Sequence, residues 1–203
     1  MTLEYRDGKY YDGGHEVMDG LQDPGWWDGP VRYKRVNRNV ISWVQHDIVF
    51  HLISKLCGGQ GADIGGPSGK AIEGIININI YPANCPGQHA IVARGESLPF
   101  KDESLNFLIS SHTLEHIKNT ESVLREWLRV LKVGGFMAIV MPDKRFHLHD
   151  PNVTKDGDAA YSEMEPQELL DIVKTLPNIE ILLFNGFENN FDFEFLIKKE
   201  IIV

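Results

Sequence analysis

The sequence has 203 residues, of which 42% are hydrophobic and 24% are charged, and its formal net charge is −9. This length and composition are those of one soluble globular domain with a sizeable core. The acidic balance argues against a nucleic-acid partner, whose phosphates bind basic surfaces, and no apolar run approaches the roughly 20 residues that a membrane span requires.

Residues 1–36 show no sustained hydrophobic period but are rich in aromatic residues, including Trp26 and Trp27. We interpret them as an irregular N-terminal extension that packs on, or covers a site of, a domain formed by residues 37–203. The first residues do not resemble a signal peptide, and Cys57 and Cys85 lack metal-ligand spacing. These features favour a cytoplasmic protein without a metal site.

Apolar residues at helical spacing predict a helix over residues 39–56. A short strand is predicted to end near Asp63, a second to cover Ile75–Ile80 and a third to cover His89–Val92. Few residues separate the first two strands, whereas a full crossover helix between parallel strands needs ten or more. The first crossover is therefore expected to be shortened.

The second half of the chain alternates between strand and helix patterns. A buried strand is predicted at Leu105–Ser110, and a helix over residues 121–132 is expected to be capped by Thr120 and ended by Gly134 and Gly135. A strong strand follows at Phe136–Met141.

Residues 147–165 are polar and have no clear period, which predicts a loop. Pro166 is suited to the first turn of a further helix. Two last strands, Ile179–Phe184 and Phe191–Ile197, could then pair as a hairpin at one side of a sheet.

A glycine-rich turn follows the first strand of this α/β pattern, in the stretch Gly61–Lys70 that reads Gly-Ala-Asp-Ile-Gly-Gly-Pro-Ser-Gly-Lys. Gly65, Gly66 and Gly69 can adopt positive φ or let a ligand approach the backbone closely. The first turn of an open α/β sheet is where a nucleotide-like ligand binds. The turn alone does not separate a ligand site from a tight turn without a ligand.

The turn resembles the first motif of the class I S-adenosylmethionine-dependent methyltransferases, in which an acidic residue precedes Gly-x-Gly-x-Gly; here these positions are Asp63, Gly65, Pro67 and Gly69. A second block is similar to the type 11 methyltransferase domain. It contains Leu98-Pro99-Phe100, then Leu114-Glu115-His116, then a helix leading to Leu131-Lys132-Val133-Gly134-Gly135. Together the two blocks cover about residues 60–145. The resemblance implies a Rossmann-like methyltransferase fold, with a mostly parallel seven-stranded sheet and an antiparallel edge strand.

The resemblance also implies S-adenosylmethionine as the cofactor. Asn79 occupies the position at which the family usually has an acidic residue on the ribose hydroxyls, and Arg94 presents donors where an acceptor is expected. Weakened cofactor binding is therefore expected, and acids at these two positions are expected to tighten it. By position, the cofactor-binding residues are Asp63, Gly65, Gly66, Gly69, Asn79, Ile80, Glu96, Ser97, Leu98 and Ser111.

Two residues are candidates for catalysis on the acceptor side. His112 follows a predicted strand, and a histidine suits proton transfer near neutral pH. The alternative for His112 is a hydrogen-bonded structural histidine. Asp143, with Lys144 and Arg145, follows the next strand and could hold a substrate, although a solvated charge run is an alternative.

The sequence thus predicts S-adenosylmethionine-dependent methyl transfer to a small-molecule or carbohydrate acceptor. The alternative is a degenerate, non-catalytic member of the fold that binds a ligand or partner. A nicotinamide-dependent oxidoreductase ranks below both because Gly-x-Gly-x-x-Gly is absent. Neither the acceptor nor the oligomeric state is indicated.

Overall fold

The computed structural model describes residues 3–6, 9–12, 15–16, 60–65, 75–80, 90–146, 159–185 and 192–201. In chain order the strands are β1 (Leu3–Arg6), β2 (Lys9–Asp12), β3 (His15–Glu16), β4 (Gly61–Ile64), β5 (Ile75–Asn79), β6 (Ala90–Val92), β7 (Leu105–Ser111), β8 (Leu131–Pro142), β9 (Ile179–Asn185) and β10 (Asp192–Lys199). The helices among these residues are a 3₁₀-helix (Leu114–His116), α1 (Thr120–Val130) and α2 (Pro166–Val173).

The larger sheet of the described residues has seven strands in the order β6-β5-β4-β7-β8-β10-β9. The strands from β6 to β8 pair in parallel. Strand β10 runs antiparallel to both of its neighbours, β8 and β9. The predicted Rossmann-like fold, with antiparallel pairing of the last two strands at one side of the sheet, is confirmed.

The first residues form a separate small sheet. Strand β1 pairs antiparallel with β2, and β2 pairs with β3. We expected residues 1–36 to be irregular, and residues 3–6, 9–12 and 15–16 differ from that expectation. The sequence between the strands, Asp7-Gly8 and Gly13-Gly14, is typical of two-residue hairpin connections, whereas strands this short show no hydrophobic period.

Several sequence-based predictions fall outside the described residues. They concern the helix over residues 39–56, the shortened crossover, and Gly66 and Gly69 of the glycine turn. The predicted loop over residues 147–165 is described only from residue 159 onward. The division between an extension and a domain at residue 36 stays a prediction.

Helix α1 forms because its apolar residues recur on one face, and Leu124, Trp127 and Leu128 on that face are buried. Its N-cap is Asn119 and not Thr120. The Asn119 side chain accepts a hydrogen bond from the Ser122 N–H, and Asn119 adopts the left-handed conformation, which asparagine tolerates better than threonine.

The predicted end of α1 is also wrong. The helix ends at Val130, and β8 begins directly at Leu131, so that Gly134 and Gly135 lie inside the strand. A Cβ at Gly135 would lie 2.9 Å from the Asn106 carbonyl oxygen of β7. Gly135 therefore permits the close approach of β7 and β8 beside their register shift, and the glycine pair does not end the helix.

Helix α2 begins as predicted at Pro166. The side chain of Glu165 and that of Glu168 form a capping box around the first turn. Leu169 and Val173 of this helix are buried and pack in the main core. That core lies between one face of the sheet and the two α-helices.

None of the helices in the described part of the chain is both long enough and apolar enough to span a membrane.

Candidate active site

Because β5, β4, β7 and β8 run parallel, the carboxyl ends of these four strands lie side by side. We call this region the carboxyl end of the sheet. Ligands of open α/β sheets bind there. Most of the predicted site residues that the structure describes are located in or near this region.

Gly65 follows β4 with a φ of +86°. Its N–H donates a hydrogen bond of 2.7 Å to the Ile78 carbonyl of β5. A Cβ at this position would lie 1.9 Å from Thr113 Oγ1. Both the conformation and the packing against Thr113 therefore require glycine at the end of β4.

Asn79, the last residue of β5, is tied to the glycine turn. Its Nδ2 donates a hydrogen bond of 2.9 Å to the Gly65 carbonyl. Ile80 follows Asn79 and is half-buried, and Asp63 is buried within β4 between β5 and β7. The amide of Asn79 thus cross-links the ends of β4 and β5, which a carboxylate at this position could not do, because it has no donor.

The loop that carries Glu96, Ser97 and Leu98 is anchored on α1. The Leu98 N–H donates to Glu126 Oε1 at 2.8 Å, and Trp127 Nε1 donates to the Gly95 carbonyl at 2.9 Å. Leu98 is buried, whereas Glu96 and Ser97 are exposed. The anchoring leaves these two residues on the surface beside the carboxyl end of the sheet.

Arg129 fixes the next part of the same loop. Its guanidinium donates to the Leu98 and Phe100 carbonyls and pairs with Glu126 and Asp102. The hydrogen bond from Arg129 holds the pKa of Glu126 below its usual range. The Leu-Pro-Phe motif therefore has a structural function, since its backbone is bound by charged groups of α1.

Arg94 lies next to Glu96, with Arg94 Nη2 at 3.5 Å from Glu96 Oε1. The two side chains are 54% and 36% exposed, so this ion pair contributes little to stability. The Glu96 carboxylate thus provides a hydrogen-bond acceptor beside Arg94, which itself has only donors.

His112 directly follows β7 and has a φ of +49°, which is uncommon for a residue other than glycine. Its N–H donates to the Val140 carbonyl at 3.0 Å. Ring atom Nε2 lies 3.0 Å from Asp192 Oδ1, and Nδ1 lies 3.9 Å from Glu115 Oε1. The His112 side chain is 23% exposed, while both carboxylates are fully buried.

The pKa of His112 is raised from its ordinary value of 6.5. Burial is the largest influence and acts to lower it. The hydrogen bond with Asp192 and the charges of Asp192 and Glu115 act in the opposite direction, and together they outweigh burial. The geometry therefore favours a histidine that binds a proton readily.

The 3₁₀-helix next to His112 is held by the segment that leads into α2. The Glu115 carbonyl accepts hydrogen bonds from the N–H groups of Tyr161 and Ser162, at 2.7 and 2.9 Å. His116 Nδ1 lies 3.3 Å from the Ala159 carbonyl oxygen. These contacts fix the segment that carries Glu115.

Ser111 ends β7 and is buried. Its carbonyl accepts a hydrogen bond from Thr113 Oγ1 at 3.0 Å, and the neighbouring Ser110 hydroxyl donates to the Ile64 carbonyl at 3.2 Å. The Ser110 bond joins the end of β7 to the end of β4, which brings Ser111 and Gly65 near each other.

Asp143 follows β8 and is buried. Its carboxylate accepts hydrogen bonds from the Arg145 N–H and guanidinium, and Lys144 Nζ pairs with Glu168 Oε2 at 2.6 Å. All three charged residues are thus engaged within the protein. A catalytic function of Asp143 stays a prediction.

Sequence reasoning missed Asp192 and Glu126. Asp192 begins a strand that is far from His112 along the chain, and no motif links the two. Glu126 lies on α1 at a position that looked only like part of its polar face. Within the described part of the chain, no group of three or more histidine, cysteine, aspartate or glutamate side chains is arranged to hold a metal ion.

Comparison with known proteins supports the fold. Residues 76–139 match the family described as "Methyltransferase domain". This segment covers less than half of the chain, from β5 into β8. It includes Asn79, the Glu96 loop and His112, but not the glycine turn.

Two curated relatives match part of the chain. The uncharacterized protein MJ1123 of Methanocaldococcus jannaschii is 34% identical over 94 residues, which are 42% of this chain and 46% of that protein. The demethylmenaquinone methyltransferase of Roseiflexus castenholzii is 32% identical over 77 residues, 36% of this chain and 32% of that protein. The matched segment thus spans less than half the length of either relative.

A crystal structure from Thermotoga maritima, of a SAM-dependent methyltransferase described as a possible histamine N-methyltransferase, superposes with a TM-score of 0.55. The superposition covers 80% of this chain and 97% of that chain at 18% identity. At this level of identity the similarity establishes the fold and not the reaction.

Proposed function

We propose that this chain, which has a Rossmann-like methyltransferase fold and matches the methyltransferase domain family over residues 76–139, binds S-adenosylmethionine and transfers its methyl group to a small-molecule or carbohydrate acceptor. The observation that carries the proposal is the tight junction of β4 and β5. There, Gly65 with its positive φ and the amide of Asn79 meet at adjacent strand ends, at the edge of the sheet where ligands of open α/β folds bind.

The residues at this junction fit the cofactor chemically. Gly65 adopts positive φ and leaves no room for a Cβ beside Thr113, so another residue at this position would displace the turn at the end of β4. Asn79 and Glu96 carry oxygens that can accept hydrogen bonds from ribose hydroxyls or an adenine amino group. Ile80, which is half-buried, supplies apolar surface beside Asn79.

When bound, S-adenosylmethionine supplies a methyl group already activated by the positive sulfur. The protein therefore contributes alignment of the acceptor and, where the acceptor carries a proton, a base. His112 is suited to be that base, because it is partly exposed and its pKa is raised above 6.5.

The first test is a calorimetric titration of the chain with S-adenosylmethionine. Saturable binding is expected, and Gly65→Ala is expected to abolish or strongly weaken it. Its matched control is Gly134→Ala. Gly134 has a similar φ, +79° against +86°, but a Cβ there meets nothing within 4 Å. Absence of binding by the folded wild-type chain would contradict the proposal.

The alternative function, ligand binding without methyl transfer, is favoured by Asn79 and Arg94, which differ from the acidic residues usual in the family. To separate the two functions, the chain is incubated with methyl-labelled S-adenosylmethionine and a panel of hydroxylated small molecules and sugars. Transfer of label supports the enzyme. Saturable binding without transfer to any member of the panel favours the alternative.

A further inference from the structure

We propose that Asp192 is a positioning residue for His112, and that it fixes the ring so that Nδ1 accepts a proton from a hydroxyl-bearing acceptor. This inference rests on the proposed function and extends it to the class of acceptor. Asp192 begins β10, which lies beside β8, and it reaches the end of β7 across that strand.

The contact between the two side chains determines the tautomer. The buried Asp192 carboxylate can only accept a hydrogen bond, and its Oδ1 lies 3.0 Å from His112 Nε2. The proton of the neutral ring is therefore held on Nε2, and Nδ1 becomes the atom that can accept a second proton. A buried carboxylate that orients an imidazole in this way also stabilises the imidazolium that forms.

The backbone around His112 supports this function. His112 adopts positive φ, and its N–H is bonded to Val140 in β8. Strained backbone of this kind persists only where the surrounding structure imposes it. The ring is thus aimed by its own strand end as well as by Asp192.

The charged groups that face the ring come from two elements. Asp192 lies on β10 and Glu115 on the 3₁₀-helix, with Glu115 Oε1 at 3.9 Å from Nδ1. His116 lies beyond Glu115, with Nε2 at 3.6 Å from the same oxygen. Two buried carboxylates near the ring disfavour an anionic acceptor, and a base is superfluous for an acceptor that arrives deprotonated. A neutral hydroxyl satisfies both conditions.

The proposed step is balanced. The acceptor oxygen forms a bond to the methyl carbon while the carbon–sulfur bond breaks, and the electron pair of that bond stays on sulfur. The hydroxyl proton passes to His112 Nδ1, and the resulting imidazolium lies between Asp192 and Glu115. Solvent later removes the proton.

The experiment is a nuclear magnetic resonance titration of the ¹⁵N-histidine-labelled full chain, with His112→Gln used to assign the ring signals. In the wild-type protein above the pKa of His112, we expect the proton on Nε2 and an unprotonated Nδ1. Asp192→Asn should lower the pKa of His112 and populate both tautomers. Glu194→Gln is the matched control, since it removes another buried carboxylate of the same strand, and it should leave the His112 titration unchanged.

A proton on Nδ1 in the neutral wild-type ring, or an unchanged His112 titration in Asp192→Asn, would overturn the inference. If Asp192→Asn does not fold, the tautomer of His112 in the wild-type protein still tests the inference. These measurements do not depend on the cofactor. Failure of the proposed function appears instead in the calorimetric titration.

Where an acceptor is identified, Asp192→Asn should lower kcat and shift its pH profile while KM changes little. Asp192→Glu should recover part of the activity. An amine or carboxylate as the preferred acceptor would contradict the assigned class.

Discussion

At the scale of single residues, Asn79 departs from the acidic residue of the motif but gains a contact within the protein. An acid at this position was expected to strengthen the contact with a ribose. The structure shows that the Asn79 amide also donates to the Gly65 carbonyl. The amide therefore maintains the glycine turn, and replacing it has a cost that the motif alone does not reveal.

We accordingly expect Asn79→Asp to weaken S-adenosylmethionine binding by about fivefold, which corresponds to the loss of one net hydrogen bond of ~1 kcal/mol. A carboxylate there would also face the Gly65 carbonyl oxygen. Calorimetric titration measures the change. Asn106→Asp is the control, because it introduces the same charge at a side chain bonded to Lys132, outside the proposed cofactor contacts. Tighter binding by Asn79→Asp would show that the charge gained at the ribose outweighs the lost cross-link.

The pH dependence of stability follows from His112. Because the pKa of His112 is higher in the folded than in the unfolded chain, the folded state binds more protons between the two values. This contribution to the free energy of unfolding is complete below the ordinary pKa of 6.5 and is lost as the pH rises through the folded pKa.

Urea denaturation of the wild type and of Asp192→Asn over this pH range tests the linkage. The stability difference between wild type and variant should be larger at the acidic end than at the alkaline end. A difference that does not vary with pH would show that Asp192 has no effect on the charge of His112.

At the scale of elements, helix α1 organises the loop that carries three predicted cofactor contacts. Glu126, Trp127 and Arg129 bind the backbone of residues 95–100 from one side of the helix. Gly95 must pass close to the core, since a Cβ there would lie 2.7 Å from Ile117 Cδ1. Helix α1 therefore supplies the contacts that position this loop against the core.

Trp127→Phe is expected to destabilise the protein by about 2 kcal/mol or more, because it leaves the Gly95 carbonyl without its donor and leaves unfilled space around a fully buried side chain. The free energy of unfolding in urea measures this loss. Arg125→Ala on the same helix is the control. Its ion pair with Glu121 is about half exposed, so it should cost only a few tenths of a kcal/mol. Equal losses in the two variants would argue against the anchoring function of Trp127.

At the scale of the whole molecule, strand β10 connects the core with the candidate site. Phe193, Phe195 and Ile197 are buried in the main core with residues of α1 and α2. Asp192, at the start of the same strand, contacts His112. Packing of β10 in the core thus fixes the position of Asp192 beside His112 at the end of β7.

We expect Phe195→Ala to reduce the free energy of unfolding by about 3–5 kcal/mol, as is usual for a phenylalanine removed from a core. Phe184→Ala removes the ring stacked on Phe195 at 4.7 Å, but Phe184 is 37% exposed. Its loss should cost about 1 kcal/mol. Chemical denaturation measures both, and similar values would show that the core does not extend to β10 as described.

The sequence by itself determined the order of the elements and the identity of the fold, because hydrophobic period, turn residues and helix starts are signals carried within short segments. It located β4, β5, β7 and α2 closely. It also singled out His112 and the glycine turn, at which Gly65 proves to be sterically required.

Tertiary structure alone decided the contacts that give these residues their chemistry. The contacts of His112 with Asp192, of Asn79 with Gly65 and of Leu98 with Glu126 join residues that are far apart in sequence. Their meeting depends on the order of strands in the sheet and on the face of α1 that packs against it. A single sequence shows neither, because local patterns predict which face is buried but not which residue it will contact.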